Sequence, residues 1–431
     1  MNKKVNIVTL GCSKNLIDSE LFMGQLEANG YEVVTDSNET DAEIVAINTC
    51  GFILDAKEES INTVLDFVEA KKRGEISKIF VFGCLTERYK DELMAEIPEV
   101  DGFYGKFQVK KMVEDLEGEY KMSLKNQRYV TTPSHYAFLK ISEGCNRTCS
   151  YCAIPYITGK HKSRPIEDIV IEATLLAKKG VKELLVIAQD LSFYGLDLYK
   201  EQRLAELVRQ LSKIEGIEWI KLHYAYPSNF PYDLLPVMQQ EPKVSLYLDI
   251  ALQHISDHML KLMRRNINKQ ETLDLLARIR KEVPGIHLRT TLLVGHPGET
   301  EEDFEELCEF VETARFERLG VFAYSHEDNT YAGDNYEDII PSDVKQERVD
   351  RIMELQQNIS LLHNETKVGM TMKVVVDRIE GDLFIGRTEF DSPDVDGEVF
   401  ISSEEELAIG QFVEVKITEA SDYDLYAEVI K

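Results

Sequence analysis

No stretch of this sequence approaches the roughly 20 consecutive apolar residues that span a bilayer, so a membrane-crossing helix is not expected. The opening MNKKVNIVTLGC has only a short apolar segment and no small-residue cleavage site after it. It reads as a first buried strand rather than a secretory leader, and the chain is expected in the cytoplasm. Positive charge is scarce: 49 Lys and Arg stand against 77 Asp and Glu, a net charge of −28. Nucleic-acid affinity rests on cations that neutralise phosphates, so a polyanion wrapped over a large surface is not expected. A basic protein partner suits this charge better. There is no internal repeat and no low-complexity tract. Cysteine is sparse as well, with 7 in 431 residues, and in a cytoplasmic chain these are not a disulfide framework.

What is present falls into three segments. Residues 1–125 alternate short apolar runs (KVNIVTL, YEVV, AEIVAINTC, KIFVFGC) with helical patterns that close at a glycine. That alternation predicts a doubly wound parallel sheet. Cys12, Cys50 and Cys84 each follow such a run, at the carboxyl ends of strands where open α/β sheets place their ligands. A polar linker leads to residues 131–362, where AFLKIS, ELLVIA, IKLHYAY, SLYLDIAL, HLRTTLLV and LGVFAYS are separated by helical stretches. Six such units predict a partial TIM-like (βα)6 barrel whose working face is the carboxyl end of its strands. Cys308 lies on the apolar face of a helical pattern and is expected to be core packing. Residues 366–431 shift to period-2 alternation with turns at Glu380-Gly381 and Asp396-Gly397, which predicts a small antiparallel β-barrel. The fold class expected is therefore α/β with a C-terminal β-barrel.

The densest chemical signal is SEGCNRTCSYCAIP, where Cys145, Cys149 and Cys152 form C-x3-C-x2-C directly after the first barrel strand. Close spacing on one loop lets several thiolates face one iron–sulfur cluster, and three ligands to a four-iron cluster leave one iron open. Structural zinc needs a fourth ligand, for which His135 and His161 are the nearby histidines. The spacing favours the cluster.

GCNRTCSYC after a barrel strand resembles the signature of radical S-adenosylmethionine enzymes. The resemblance implies that the open iron binds S-adenosylmethionine, and that one-electron reduction releases a 5′-deoxyadenosyl radical. It places Tyr151 beside the adenine, and it brings Gly295, Pro297 and Gly298 of LLVGHPGET near the cofactor. TLGCSKNLIDSE, INTCGFILDAKEESI and FGCLTERY resemble the N-terminal domain of the methylthiotransferases within that superfamily, and the last segment resembles their TRAM domain. The likeness covers essentially the whole chain. It implies that Cys12, Cys50 and Cys84 hold a second 4Fe-4S cluster, also with one iron free, which carries the sulfur to be methylated and inserted. One departure is YSHEDNTYA, where the family more often has glycine before the threonine.

Methylthiotransferases of this architecture modify either tRNA adenosines or an aspartate of a ribosomal protein. Lys14-Asn15 after the first cysteine resembles the ribosomal-protein branch, whereas the tRNA branch tends to read GCQMN. From residue 366 onward 6 Lys or Arg stand against 16 Asp or Glu, a poor phosphate clamp and a suitable dock for a basic protein. The expected substrate is thus the β-carbon of an aspartate in the twelfth small-subunit ribosomal protein, with a tRNA adenosine as the alternative. An external electron donor is required, and nothing in the pattern demands more than a monomer.

Overall fold

The computed structural model describes residues 4–37 and 42–430. The first unit contains strands β1 (Lys4–Thr9), β2 (Glu32–Thr35), β3 (Ile44–Thr49), β4 (Lys78–Gly83) and β5 (Gly102–Gly105). Between and after them lie helices α1 (Ser13–Glu27), α2 (Leu54–Lys72), α3 (Cys84–Glu96) and α4 (Val109–Asp115). The sheet runs β2-β1-β3-β4-β5, with every pair parallel. Successive side chains of a strand point to opposite faces, and the sequence supplies apolar residues to both. Ile44, Ala46, Phe80 and Phe82 pack with Phe22 and Met23 of α1 and Met112 of α4. Val45, Ile47, Ile79 and Val81 pack with Val64 and Val68 of α2 and Leu93 of α3. The doubly wound reading therefore holds, with β5 added to the four runs seen in the sequence.

The central unit begins with β6 (Tyr136–Lys140), a short ribbon of β7 (Ser142–Glu143) and β8 (Lys162–Ser163), and the helix α5 (Ile154–Thr158). Then come α6 (Ile166–Lys178), β9 (Glu183–Ile187), α7 (Leu204–Leu211), β10 (Trp219–Ala225), α8 (Leu235–Gln240) and β11 (Val244–Gln253). It finishes with α9 (Asp257–Leu262), α10 (Lys269–Glu282), β12 (His287–Val294), α11 (Glu301–Ala314), β13 (Arg318–Ala323), α12 (Tyr331–Asn335) and α13 (Ser342–Glu365). The six long strands form one parallel sheet in the order β13-β12-β11-β10-β9-β6, with β6 and β13 left as edges. This is the partial barrel the spacing predicts. Its main core lies between sheet and helices, joins Leu184, Ile220, Leu248 and Leu292 to Ile169, Leu207 and Leu307, and also takes in Cys308. Along β12 the partly exposed His287, Arg289 and Thr291 alternate with buried Leu288, Thr290 and Leu292, so the concave face is polar.

The last unit is a closed barrel of β14 (Thr371–Glu380), β15 (Leu383–Thr388), β16 (Val399–Ser402), β17 (Phe412–Ala420) and β18 (Leu425–Val429). One pair, β16 with β18, is parallel, so the barrel departs in that pair from the all-antiparallel expectation. β17 and β18 are antiparallel neighbours joined by a short turn, so the chain crosses between β16 and β17, and β18 then returns into the place beside β16.

This barrel docks on the amino-terminal ends of the central strands through buried charge. Arg387 pairs with Glu183 at 2.9 Å, Lys221 with the same carboxylate at 2.7 Å, and Arg318 with Asp391 at 2.5 Å. His287 stacks on Phe390 with ring centroids 3.8 Å apart, and Trp219, the only tryptophan, meets Phe412 edge-on at 4.7 Å. Burial alone would raise the Glu183 carboxyl, but Arg387 and Lys221 outweigh it and hold it at about 2. A carboxyl depressed in the folded state contributes stability above its unfolded value and loses it as pH falls through the folded one. Acid between about pH 4.5 and 2 should therefore remove about 3 kcal/mol from this interface. Trp219 reports it: its emission should shift to the red in that window. The Glu183→Gln variant should show a smaller acid transition, the remainder belonging to Asp377, which also pairs with Arg387.

Candidate functional site: two cysteine edges across one mouth

β1, β3 and β4 lie side by side and parallel, so Cys12, Cys50 and Cys84 follow one another along the same edge of the first sheet. Asn15 ties the three loops together. Its amide nitrogen donates to the carbonyls of Leu10 at 3.1 Å and Thr49 at 3.2 Å, and its oxygen accepts from the Cys84 thiol at 3.3 Å. Ser60 closes on Cys50 from behind, accepting from its backbone N–H at 3.0 Å and donating to its carbonyl at 3.1 Å. The loops are pressed close. A Cβ on Gly11 (φ +89) would lie 2.8 Å from the Cys50 Cβ, and one on Gly51 would lie 2.8 Å from the Cys84 carbonyl.

The second set lies at the carboxyl end of β6. The backbone N–H of Arg147 donates to Cys145 Sγ at 3.4 Å, and Arg265 Nη1 donates to Cys149 Sγ at 3.3 Å and to Tyr151 Oη at 3.3 Å. The Tyr226 hydroxyl stands 3.7 Å from Cys149 Sγ, and its ring is clasped between the guanidinium groups of Arg147 at 3.9 Å and Arg265 at 4.1 Å. His296, within the glycine-rich turn after β12, reaches Ser150 Oγ at 3.0 Å and meets the Tyr151 ring edge-on. In that turn a Cβ on Gly295 would run into Lys345 and one on Gly298 into Leu262, while His296 makes the bond to the cysteine loop.

Both sets suit an iron–sulfur group. The donors are thiols alone, which select zinc or iron–sulfur. Among the described residues no three His, Cys, Asp or Glu converge on a single ion. The two histidines that could supply a fourth zinc ligand are engaged elsewhere. His135, at the far end of β6, bonds Asp377 at 2.7 Å, and His161 Nε2 bonds Ser163 at 3.1 Å. Burial pushes the Cys84 and Cys145 thiols up to about 12 and raises Cys50 and Cys152 as well. As free thiols these four would hold their protons, and metal binding would release them.

The first sheet presents its cysteine edge to the mouth of the central barrel, and three polar links hold it there. On one edge strand, Lys140 at the end of β6 pairs with Asp18 of α1, which also takes Lys106 at 2.6 Å. On the other side, the loop after β13 sends Glu327 to Lys57 at 3.0 Å and to Arg88 at 2.8 Å. Arg88 also donates to the Gly51 carbonyl at 2.8 Å, next to Cys50. Between them, Lys14 Nζ rests 3.5 Å over the ring of Tyr224 at the end of β10. Two residues on, Tyr226 is the group against Cys149. One strand end thus touches both cysteine neighbourhoods.

Neither Asn15 nor Glu327 stood out as structural hubs in the sequence, because their partners lie in other loops. The YSHEDNTYA departure has a structural answer: Asn329 has φ +62, left-handed backbone that asparagine tolerates where glycine is common.

Models of three known families match in succession: an uncharacterised protein family, UPF0004, over residues 4–105, the radical SAM superfamily over 139–311, and the TRAM domain over 368–430. The fold is shared with TsrM, a radical S-adenosylmethionine methyltransferase of Kitasatospora setae, at TM-score 0.59 and 13% identity over 88% of this chain and 79% of that one. The protein is thus a radical S-adenosylmethionine enzyme in fold and family. Curated relatives narrow the class. Ribosomal protein uS12 methylthiotransferase RimO of Bacteroides thetaiotaomicron is 60% identical over 99% of this chain and 98% of its own length. The protein of the same name from Phocaeicola vulgatus is 58% identical over 99% of each. The chain belongs to the RimO family of radical S-adenosylmethionine methylthiotransferases.

The Arg88–Glu327 pair is open to test, since both side chains are nearly fully buried. Removing one partner strands the other, so Arg88→Met should cost about 3 kcal/mol, the lower end for such a loss because Lys57 remains. Urea unfolding measures it, and Arg88→Met with Glu327→Gln should recover part of the loss.

Proposed function

We propose that this enzyme adds a methylthio group to the β-carbon of an aspartate in ribosomal protein uS12, using S-adenosylmethionine and two 4Fe-4S clusters. The observation that carries the reading is the facing of two three-cysteine edges across a single mouth. The name shared by its relatives supplies the substrate. Cys145, Cys149 and Cys152 would hold one cluster, and Cys12, Cys50 and Cys84 the other. When bound, the first would supply an electron to S-adenosylmethionine and the second a sulfur site, the three cysteines of each set serving as the protein ligands.

The protein's own part is to bind, orient and exclude water. Arg265 and Arg147 place positive charge beside the barrel thiolates, which offsets the cost of keeping anionic sulfur out of solvent. Tyr151, fixed by Arg265, would cover the adenine, and the Gly295, Pro297 and Gly298 turn would pass along the cofactor. The first sheet closes the mouth, which limits quenching of a reactive carbon radical by solvent. An external donor delivers electrons, and the reaction belongs in the cytoplasm, where uS12 is made and assembled.

The test is anaerobic. Protein reconstituted with iron and sulfide is given reductant and S-adenosylmethionine, with uS12 and unmodified tRNA offered in parallel, and products are weighed by mass spectrometry. One methylthio group on the uS12 aspartate alone is expected; a gain on tRNA alone would overturn the substrate. Two variants separate the cysteine sets. Cys149→Ala should abolish 5′-deoxyadenosine formation. Cys50→Ala should keep that cleavage yet transfer no sulfur, and unimpaired transfer by Cys50→Ala would remove the second cluster from the reading.

A further inference from the structure

One of the links across the mouth also presents a cation to it. At the end of β10, Tyr224 has φ +68, a backbone conformation that costs a bulky residue free energy unless its surroundings impose it. Asp249 is one such constraint, accepting the Tyr224 N–H at 3.3 Å. The conformation leaves the Tyr224 ring 38% exposed, with Lys14 Nζ above it. Among the described residues no carboxylate lies within ion-pair distance of that ammonium.

Behind the ring the lumen is polar and incompletely satisfied. His223 is 6% exposed and its Nε2 has no hydrogen-bond partner; Asp249 is 4% exposed and its Oδ1 has none. Arg289 stands 3.9 Å from that Oδ1, held by Asp396 at 3.3 Å. Burial first, then the cations Lys221, Arg289 and Lys14, push the imidazole of His223 down to about 3, so it is neutral and adds no competing charge. A buried polar atom without a partner is uncommon and asks for a ligand. Asp249 Oδ1 calls for a donor, whereas His223 Nε2 donates to an acceptor in the tautomer that protonates it. Negative charge would be welcome at the Lys14 ammonium, which rests on a ring face and feels Asp249 only from beyond ion-pair distance.

Taking the proposed reaction as given, we infer that Lys14 is a specificity-determining residue that binds the carboxylate of the reacting aspartate side chain, with His223 lining the same subsite. Lys14 lies two residues from Cys12, and its ring platform lies two residues from Tyr226, which touches Cys149. A side chain whose carboxylate is held at Lys14 has its β-carbon one bond away, between the two cysteine edges. A neutral amide in place of the carboxylate would lose the charge-assisted bond.

The experiment compares reconstituted wild type, Lys14→Gln and Lys14→Arg on uS12 carrying either aspartate or asparagine at the modified position. Methylthio transfer is followed by mass spectrometry, and binding of tagged peptides of both kinds to the same holoenzymes by fluorescence anisotropy. Wild type should prefer aspartate by about ten- to a hundred-fold in kcat/KM, the worth of a hydrogen bond to a charged group. Lys14→Gln should bring that ratio near one in both readouts, and Lys14→Arg should retain most of it. A preference left intact in Lys14→Gln, or lost equally in Lys14→Arg, overturns the assignment. So does an equal fall on both substrates, which would make Lys14 a support for the Cys12 loop. Wild type that modifies no uS12 would instead overturn the proposed function itself.

Discussion

The rest of this structure depends on keeping two sets of three thiols facing each other across a gap that neither sheet could define alone. Each set is local: one loop after β6, and three adjacent strand ends in the first sheet. Their mutual placement is not. It rests on Asp18 with Lys140, Lys14 on Tyr224, and Arg88 and Lys57 on Glu327. These links reach both edge strands and the middle of an open sheet, so the first domain bridges the opening. Buried ion pairs add little net stability, since desolvation offsets the attraction. They do penalise any arrangement that leaves one charge unmatched, and that makes them suited to fixing a distance.

The other end of the central sheet follows the same logic with a different outcome. Its amino-terminal strand ends carry Glu183, Lys221, His287 and Arg318, a set that would be costly to bury unpaired. The C-terminal barrel satisfies it with Arg387, Asp391 and the Phe390 ring. Some of the acidity of that barrel is therefore structural: Asp377, Asp391 and Asp396 turn inward to His135, Arg318 and Arg289. Glu404, Glu405 and Glu406 remain outside. The barrel also sits a strand length from the cysteine mouth, roughly 17 to 26 Å for strands of five to eight residues. A basic partner held there must be long enough to reach the other end.

Much of this was legible beforehand. The strands of the first sheet alternate apolar residues to both faces, and six β-rich runs at regular spacing announce the parallel central sheet. Asn15 was visible only as half of a dipeptide that separates two branches of a family, because its role is a bond to Thr49 and Cys84 across other loops. Glu327 stood in a loop that looked irregular, and its partners lie 239 and 270 residues away. No local pattern encodes such a pairing. The parallel β16–β18 pair was hidden for the same reason: alternation identifies a strand but not its neighbour.

The sequence by itself determined the elements and the donors: which runs become strands, and that six of seven cysteines follow strand ends in two groups of three. Period, turn residues and ligand spacing are properties of a few consecutive residues, so they can be read along the chain. Only the tertiary structure decided that the two groups share one mouth, that Lys14 rests at its rim on Tyr224, and which acids of the C-terminal barrel are spent on docking. Those outcomes depend on charges finding partners hundreds of residues distant, where the cost of leaving any one of them buried and unpaired selects a single arrangement.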